Sequence, residues 1–144
     1  MEGSAVVLQG SRILWAAPGE RLRDPAGPPG GPFPGAAPEL LDFPGATLLP
    51  GLVDCHTHTN MPGDGRTGEQ VDLEDDDIRL LRSTRNVRIA LRSGVTTLAD
   101  CGAWNHTAFS LRRGINLGLV DGPRVLVAGR PVTSTGGHLW YMGG

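Results

Sequence analysis

Two histidines separated by one threonine, His56 and His58, close the apolar run LLPGLVDCHTHTN at residues 48–60. Neutral imidazole is a common ligand for zinc and related ions, so two rings on one side of the backbone can hold a single ion between them. A strand would arrange this, because its side chains alternate and residues two apart face the same way. A strand over residues 52–58 puts Asp54, His56 and His58 on one face, and Cys55 and Thr57 on the other. The pair alone is a weak motif: two loop histidines with satisfied hydrogen bonds would read the same. The elements around it must decide.

Those elements alternate. SAVVLQGSRILWAAPGERL, at residues 4–22, predicts two short strands around Gly10 and a turn at Pro18-Gly19. Residues 24–38, DPAGPPGGPFPGAAP, can hold neither a helix nor an interior strand and read as a surface loop. A short strand, a turn at Pro44-Gly45 and the apolar strand into the histidines follow. That apolar strand lacks clear alternation, which predicts burial on both faces in a parallel sheet. Residues 72–94, DLEDDDIRLLRSTRNVRIALRSG, carry acids in front and arginines behind, the polarity a helix dipole favours. Ile78, Leu81, Val87, Ala90 and Leu91 approximate an apolar stripe, and Gly94 is a stop. The acids from Glu74 to Asp77 read as a solvated helix start rather than a metal site. VTTLAD is a β-branched strand ending at Asp100 and Cys101, TAFSLRRGINLGLVDGP a second helix, and RVLVAG a third buried strand. The order β, α, β, α, β implies parallel pairing through right-handed crossovers. In such folds chemistry sits at the carboxyl ends of the strands. Those ends carry His56 and His58, then Asp100 and Cys101, then the TGGH loop ending at His138.

The totals remove several function classes. The chain has 144 residues, 39% hydrophobic and 19% charged, with a net charge of −2. That is one modest globular domain's worth of sequence without the basic patch a nucleic-acid partner requires. No run of 18 apolar residues suggests a membrane span. The N-terminus MEGSAVVLQG begins with an acid and lacks a basic segment leading into a long apolar core, so no secretory signal is expected. Cys55 and Cys101 therefore read as reduced thiols, small and buried, and the expected compartment is cytoplasmic. All 13 basic residues are arginine.

ATLLPGLVDCHTH resembles the first barrel strand of the metal-dependent amidohydrolase superfamily, where a PGxxDxHxH run supplies two metal-binding histidines. ALRSGVTTLADCG resembles its second strand and GLVDGPRVLVAGRPVTSTGGH its third. The last two are most similar to the branch of imidazolonepropionase-like and Xaa-Pro dipeptidase-like enzymes. The resemblance implies an α/β fold: residues 1–48 as the N-terminal part of a small β-sandwich, and residues 49–144 as the first three strands and two helices of an incomplete (β/α)8 TIM barrel. It implies His56 and His58 as ligands of a divalent metal, zinc being the expectation, with Asp54 and Asp100 supporting them from behind. It assigns His138 to substrate or transition-state contact, with a purely structural part as the alternative. His106 has no counterpart and reads as a surface-loop residue. Trp104, Trp140 and Tyr141 could wall a pocket or merely pack. The implied reaction is hydrolysis of a C–N bond in a small-molecule amide, cyclic amide or dipeptide, by water that the metal activates. An aspartate then carries the proton to the leaving nitrogen.

The chain also departs from that family. The resemblance places a bridging carboxylated lysine on the fourth strand, more histidines on the fifth and sixth, and the proton-shuttling aspartate on the eighth. A three-strand chain without lysine reaches none of them, and closed barrels take about 250 residues. The expectation is an N-terminal portion of a longer enzyme, inactive by itself, with a homo-oligomer of the longer parent left open. A noncatalytic remnant and a small binding module are the alternatives. TSTGGH lacks the lysine and spacing of a phosphate loop.

Overall fold

The computed structural model describes residues 3–23 and 39–142. The loop expected at 24–38 lies outside the described residues. The chain divides into two compact units, Met1–Thr47 and Leu48–Gly144.

The first unit is built on an antiparallel hairpin of β1 (Ser4–Gln9) and β2 (Arg12–Pro18), turning at Gly10-Ser11 as expected. A bulge between Val7 and Leu8 shifts its register. A 3-10 turn at Gly19–Arg23 follows. The short strand expected just before Pro44 does not form, since residues 39–43 have no ladder partner. The Pro44-Gly45 turn does form, closed by Ala46 N–H donating to Phe43 O at 3.1 Å with Gly45 at φ +75°. Proline and glycine at the central positions are what a type II turn requires.

The second unit is α/β. Three parallel strands, β3 (Leu52–Thr57), β4 (Val95–Asp100) and β5 (Arg124–Val127), lie side by side in chain order. β3 ends one residue earlier than expected, leaving His58 just past the ladder. Between β3 and β4 run two helices rather than one: α1 (Gly68–Asp72) and α2 (Asp76–Arg92). α1 begins at a capping box in which Thr67 and Gln70 satisfy each other's backbone N–H groups. α3 (Thr107–Asn116) joins β4 to β5 and stops at Gly118, whose φ of +71° suits the left-handed residue after a helix end.

Two apolar clusters hold this unit. Val87, Leu98, Leu111 and Val125 pack α2 and α3 onto one face of the sheet. Val71, Trp104, Leu139 and Met142 join α1 to the loops beyond β4 and β5. The burial expected on both faces of the strands is not found. Leu52 and Val53 are 53% and 63% exposed, and Leu126 is 57% exposed beside a buried Val125. Both helices lie over the same face, and β3 and β5 are edges, so one side of each remains open. The stripe expected on α2 also shifts. Ile78 and Leu81 are exposed, while Arg79, Ser83 and Val87 are buried. These last three recur every fourth residue and form one helix face. The front of that face meets a polar loop instead of the sheet. No described helix is long and apolar enough to cross a membrane.

Candidate metal centre

β3 delivers the histidine pair through an irregular ladder. Asp54 pairs with Leu98 but Thr57 with Asp100, so three steps on β3 match two on β4. Such bulges bend a strand, re-aim its side chains and gather beside active sites. Within the bulge Asp54 Oδ1 accepts the backbone N–H of His56 at 3.1 Å. Its contact is thus with the main chain of His56 and not with an imidazole. Strict alternation is broken, yet the rings of His56 and His58 meet, with centroids 5.2 Å apart and planes at 83°.

Two imidazoles on one tetrahedral zinc, with Zn–N near 2.0 Å, place their centroids about 5 Å apart. Edge-to-face aromatic packing covers the same range, so separation alone does not decide. The ring of His58 supplies a second observation. Its Nδ1 lies 2.9 Å from the carbonyl oxygen of Gly102. A carbonyl only accepts, so in the neutral ring Nδ1 carries the proton and Nε2 keeps the lone pair. Metal-ligating histidines are commonly held in this way by a carbonyl or carboxylate on the far nitrogen. The pair therefore fits as two ligands of one ion. Catalytic zinc takes three protein ligands and a water. Among the described residues no group of three or more His, Cys, Asp or Glu side chains gathers to hold an ion.

Asp100, 1% exposed, sits at the end of β4. Its Oδ2 accepts the backbone N–H of Thr59 at 3.2 Å and the Thr59 hydroxyl, and its Oδ1 accepts the N–H of Gly102 at 3.1 Å. His138 is exposed in the loop beyond β5. Its neighbour Leu139 is buried, and the Leu139 Cδ1 lies beside Gly102. His106 is the exposed N-cap of α3 and makes no side-chain cap bond. Cys55 and Cys101 are free thiols, but Cys55 is exposed, which corrects its expected burial. It lies on β3, an edge strand of the three-stranded sheet. Trp104 is 2% exposed, donates its indole N–H to Asp72 Oδ1 at 2.7 Å and belongs to the apolar cluster, so it packs. A cavity of about 320 Å³ opens between β3 and α2, lined by Asp54, Thr57, His58, Asn86, Ile89 and Ala90.

Three features escape a reading by composition. Asn60 is fully buried: its amide donates to Ser83 Oγ at 2.7 Å, while its Oδ1 accepts the Trp104 N–H at 3.1 Å and the Thr107 hydroxyl at 3.0 Å. Arg79 is buried over the Trp104 ring at 4.8 Å, donating to the carbonyls of Val71 and Asp72 and to Asp76. Glu74, read as part of a solvated helix start, instead lies between Arg82 and Arg66, each donating to its Oε1 at 2.7 and 2.6 Å. The Arg82 hydrogen bond holds the Glu74 carboxyl below the ordinary glutamate range, against partial desolvation and with help from Arg66. Burial pushes the Tyr141 phenol up, and the Glu69 carboxylate adds to it. The only legible signal for α1 was Thr67 followed three residues later by Gln70.

Residues 47–138 match the amidohydrolase family. The chain belongs to that family. It is 32% identical over 149 residues to the imidazolonepropionase of Acidiphilium cryptum (strain JF-5), covering 94% of this chain and 35% of that protein. This amidohydrolase-family chain thus spans about a third of that relative's length. Among solved structures, a Xaa-Pro dipeptidase with bound methionine in its active site is 30% identical, covers 62% of this chain and 22% of its own, and superposes with a TM-score of 0.53. A crystal structure of another amidohydrolase covers 96% of this chain and 29% of its own at a TM-score of 0.63; at 23% identity it speaks for the fold alone. The resemblance of the three strand segments to the amidohydrolase superfamily, and of the last two to its imidazolonepropionase and Xaa-Pro dipeptidase branch, is borne out. As an amidohydrolase-family chain it is related to hydrolases, and His56 and His58 fall inside the matched segment.

Proposed function

We propose that this chain contributes the first part of a metal-dependent hydrolase acting on C–N bonds, with β3, β4 and β5 as the opening strands of a (β/α)8 barrel and the β1–β2 hairpin as part of a small β-sandwich. The observation that carries the reading is the convergence of His56 and His58 at 5.2 Å, at the carboxyl end of a strand in a parallel sheet, with His58 Nε2 left free to coordinate. His56 and His58 would hold a divalent ion, zinc by the preference of paired imidazoles. Once bound, that ion supplies hydroxide near neutral pH and polarises the scissile carbonyl.

The residues of this chain have their own parts. His58, fixed through Nδ1, offers a preset ligand. Asp54 supports His56 through its backbone N–H, and Asp100 supports His58 through Gly102. His138, exposed in the loop beyond β5, is assigned to substrate contact. The substrate class is a small-molecule amide, cyclic amide or dipeptide, in keeping with relatives named imidazolonepropionase and Xaa-Pro dipeptidase. The remaining ligands and the proton-carrying aspartate come from outside the histidine pair. A soluble, cytoplasmic enzyme is part of the same proposal.

Zinc content after dialysis tests the assignment directly. In the longest natural form of the protein, where the further ligands are available, the wild type is expected to retain zinc and the His56→Ala/His58→Ala double variant to lose it. Equal zinc in both overturns the ligand assignment. In the longest natural form of the protein, release of amine from Xaa-Pro dipeptides or ring opening of cyclic amides should vanish with the same pair. Zinc retention without any turnover there would favour the noncatalytic reading.

A further inference from the structure

The loops that follow β3 and β4 grip each other. Asp100, from the end of β4, reaches into the β3 loop and accepts both the N–H and the hydroxyl of Thr59. Asn60, from the β3 loop, reaches the other way and accepts the N–H of Trp104. The two anchoring side chains are 1% and 0% exposed, and Thr59 is 3% exposed. Between these two grips lies the bond from His58 Nδ1 to the Gly102 carbonyl. Asp100 Oδ1 also takes the Gly102 N–H, so both sides of that glycine are held. The glycine is itself a fitted part, since a Cβ there would come within 3.3 Å of the His58 ring.

We infer that Asp100 and Asn60 form a reciprocal clasp that sets the tautomer of His58, keeping the proton on Nδ1 and the lone pair on Nε2 before any metal arrives. A free neutral histidine side chain prefers the opposite tautomer, so the bond to Gly102 must reverse that preference, and it can do so only if the carbonyl is held in place. Buried, fully partnered polar groups keep one geometry because any rearrangement strands a donor or acceptor away from water. His56 shows the contrast: among the described residues its ring has the edge contact with His58 and no hydrogen bond. Asp100, through the backbone of Gly102, and Asn60, through that of Trp104, are thus positioning residues. The inference rests on the metal reading above only for its use; the tautomer is measurable without metal.

The test is long-range 1H–15N NMR of the metal-free chain, at alkaline pH where the rings are neutral, with cobalt(II) and zinc titrations alongside. The expected wild-type spectrum shows Nδ1–H for His58 and the ordinary Nε2–H majority for His56. Asp100→Asn, confirmed folded by circular dichroism, should mix the His58 tautomers and weaken metal binding by about 10- to 100-fold. Thr59→Val, which removes one hydroxyl at constant shape, should do the same to a smaller degree and decides the matter if Asp100→Asn does not fold. An Nε2–H His58 in the wild type, or an unchanged tautomer in the folded variants, overturns the inference. A wild type with Nδ1–H that takes up no metal even in the longest natural form of the protein supports the clasp and overturns the metal reading.

Discussion

The ends of β3 and β4 and the end of β5 lie along one edge of the same sheet, yet they are built by different means. Beyond β3 and β4, side chains do the fastening: Thr59, Asn60, Asp100 and Thr107 are all buried and all hydrogen-bonded. Beyond β5, main chain does most of it. Ala128 N–H donates to Asp100 O and Gly129 O accepts from Ala103 N–H, both at 2.9 Å, and then the loop runs outward to an exposed His138. Buried side-chain hydrogen bonds demand one geometry, whereas a few backbone bonds followed by exposed residues leave a loop able to adapt. The first region suits preset ligands. The second leaves the chain largely exposed up to His138 before Leu139 turns back into the core.

The contrast breaks most severely at Asn60. Replacing it with alanine leaves the buried Trp104 N–H without an acceptor and opens a small void, so unfolding free energy should fall by about 2–4 kcal/mol. Urea melts followed by Trp fluorescence read this directly, and a loss under 1 kcal/mol would mean the clasp is slack. Gly102→Ala comes next. Its Cβ would sit 3.3 Å from the His58 ring and 3.5 Å from Leu139 Cδ1, tight enough that the ring must shift. The fold should lose about 1–2 kcal/mol. Zinc affinity should drop by about tenfold, measured by isothermal titration calorimetry. Unchanged affinity would show that the ring does not depend on this contact.

Much of the first region was legible before any coordinates. The β-branched and apolar runs at residues 52–58, 95–100 and 124–129, with glycine stops between them, predicted three parallel strands because local propensity and helix–strand alternation agree there. The ladders observed run over 52–57, 95–100 and 124–127. The PGLVDCHTH spacing located the pair. What stayed hidden was polar. Arg79, Asn60 and Glu74 look like surface residues by type, and only a fold that sets a polar loop against the front of α2 buries the first two and half-buries the third. Ile78 and Leu81 were misplaced for the same reason: periodicity counts apolar residues, and this helix buries an arginine and a serine in their stead. Exposure of Leu52 and Val53 was equally unreadable, since composition cannot say how many strands or helices will cover a face.

Glu74 sharpens the comparison by pH. Its carboxyl is depressed in the folded chain, chiefly by Arg82, so it contributes stability above the unfolded value near 4.3 and loses it as pH falls through the lower folded value. Glu74→Gln should cost about 1 kcal/mol at neutral pH, at the upper end for a partly exposed pair. The gap between variant and wild type should close below about pH 4. A gap that widened in acid would reverse the sign and remove the ion pair from the account.

His138 gives the smallest effect on the fold and the cleanest separation of the two regions. Its side chain is exposed, so His138→Ala should change stability by no more than about 0.5 kcal/mol. Zinc content should not change either, because the histidine pair and its clasp lie on the other two strand ends. If the loop beyond β5 closes on substrate, turnover in the longest natural form of the protein should fall while bound metal stays constant. A loss of zinc in this variant would make His138 a ligand and would move the metal centre toward the third strand. Full turnover with full zinc would leave it a plain surface residue, and the adaptable region would have to bind through other side chains of the same loop.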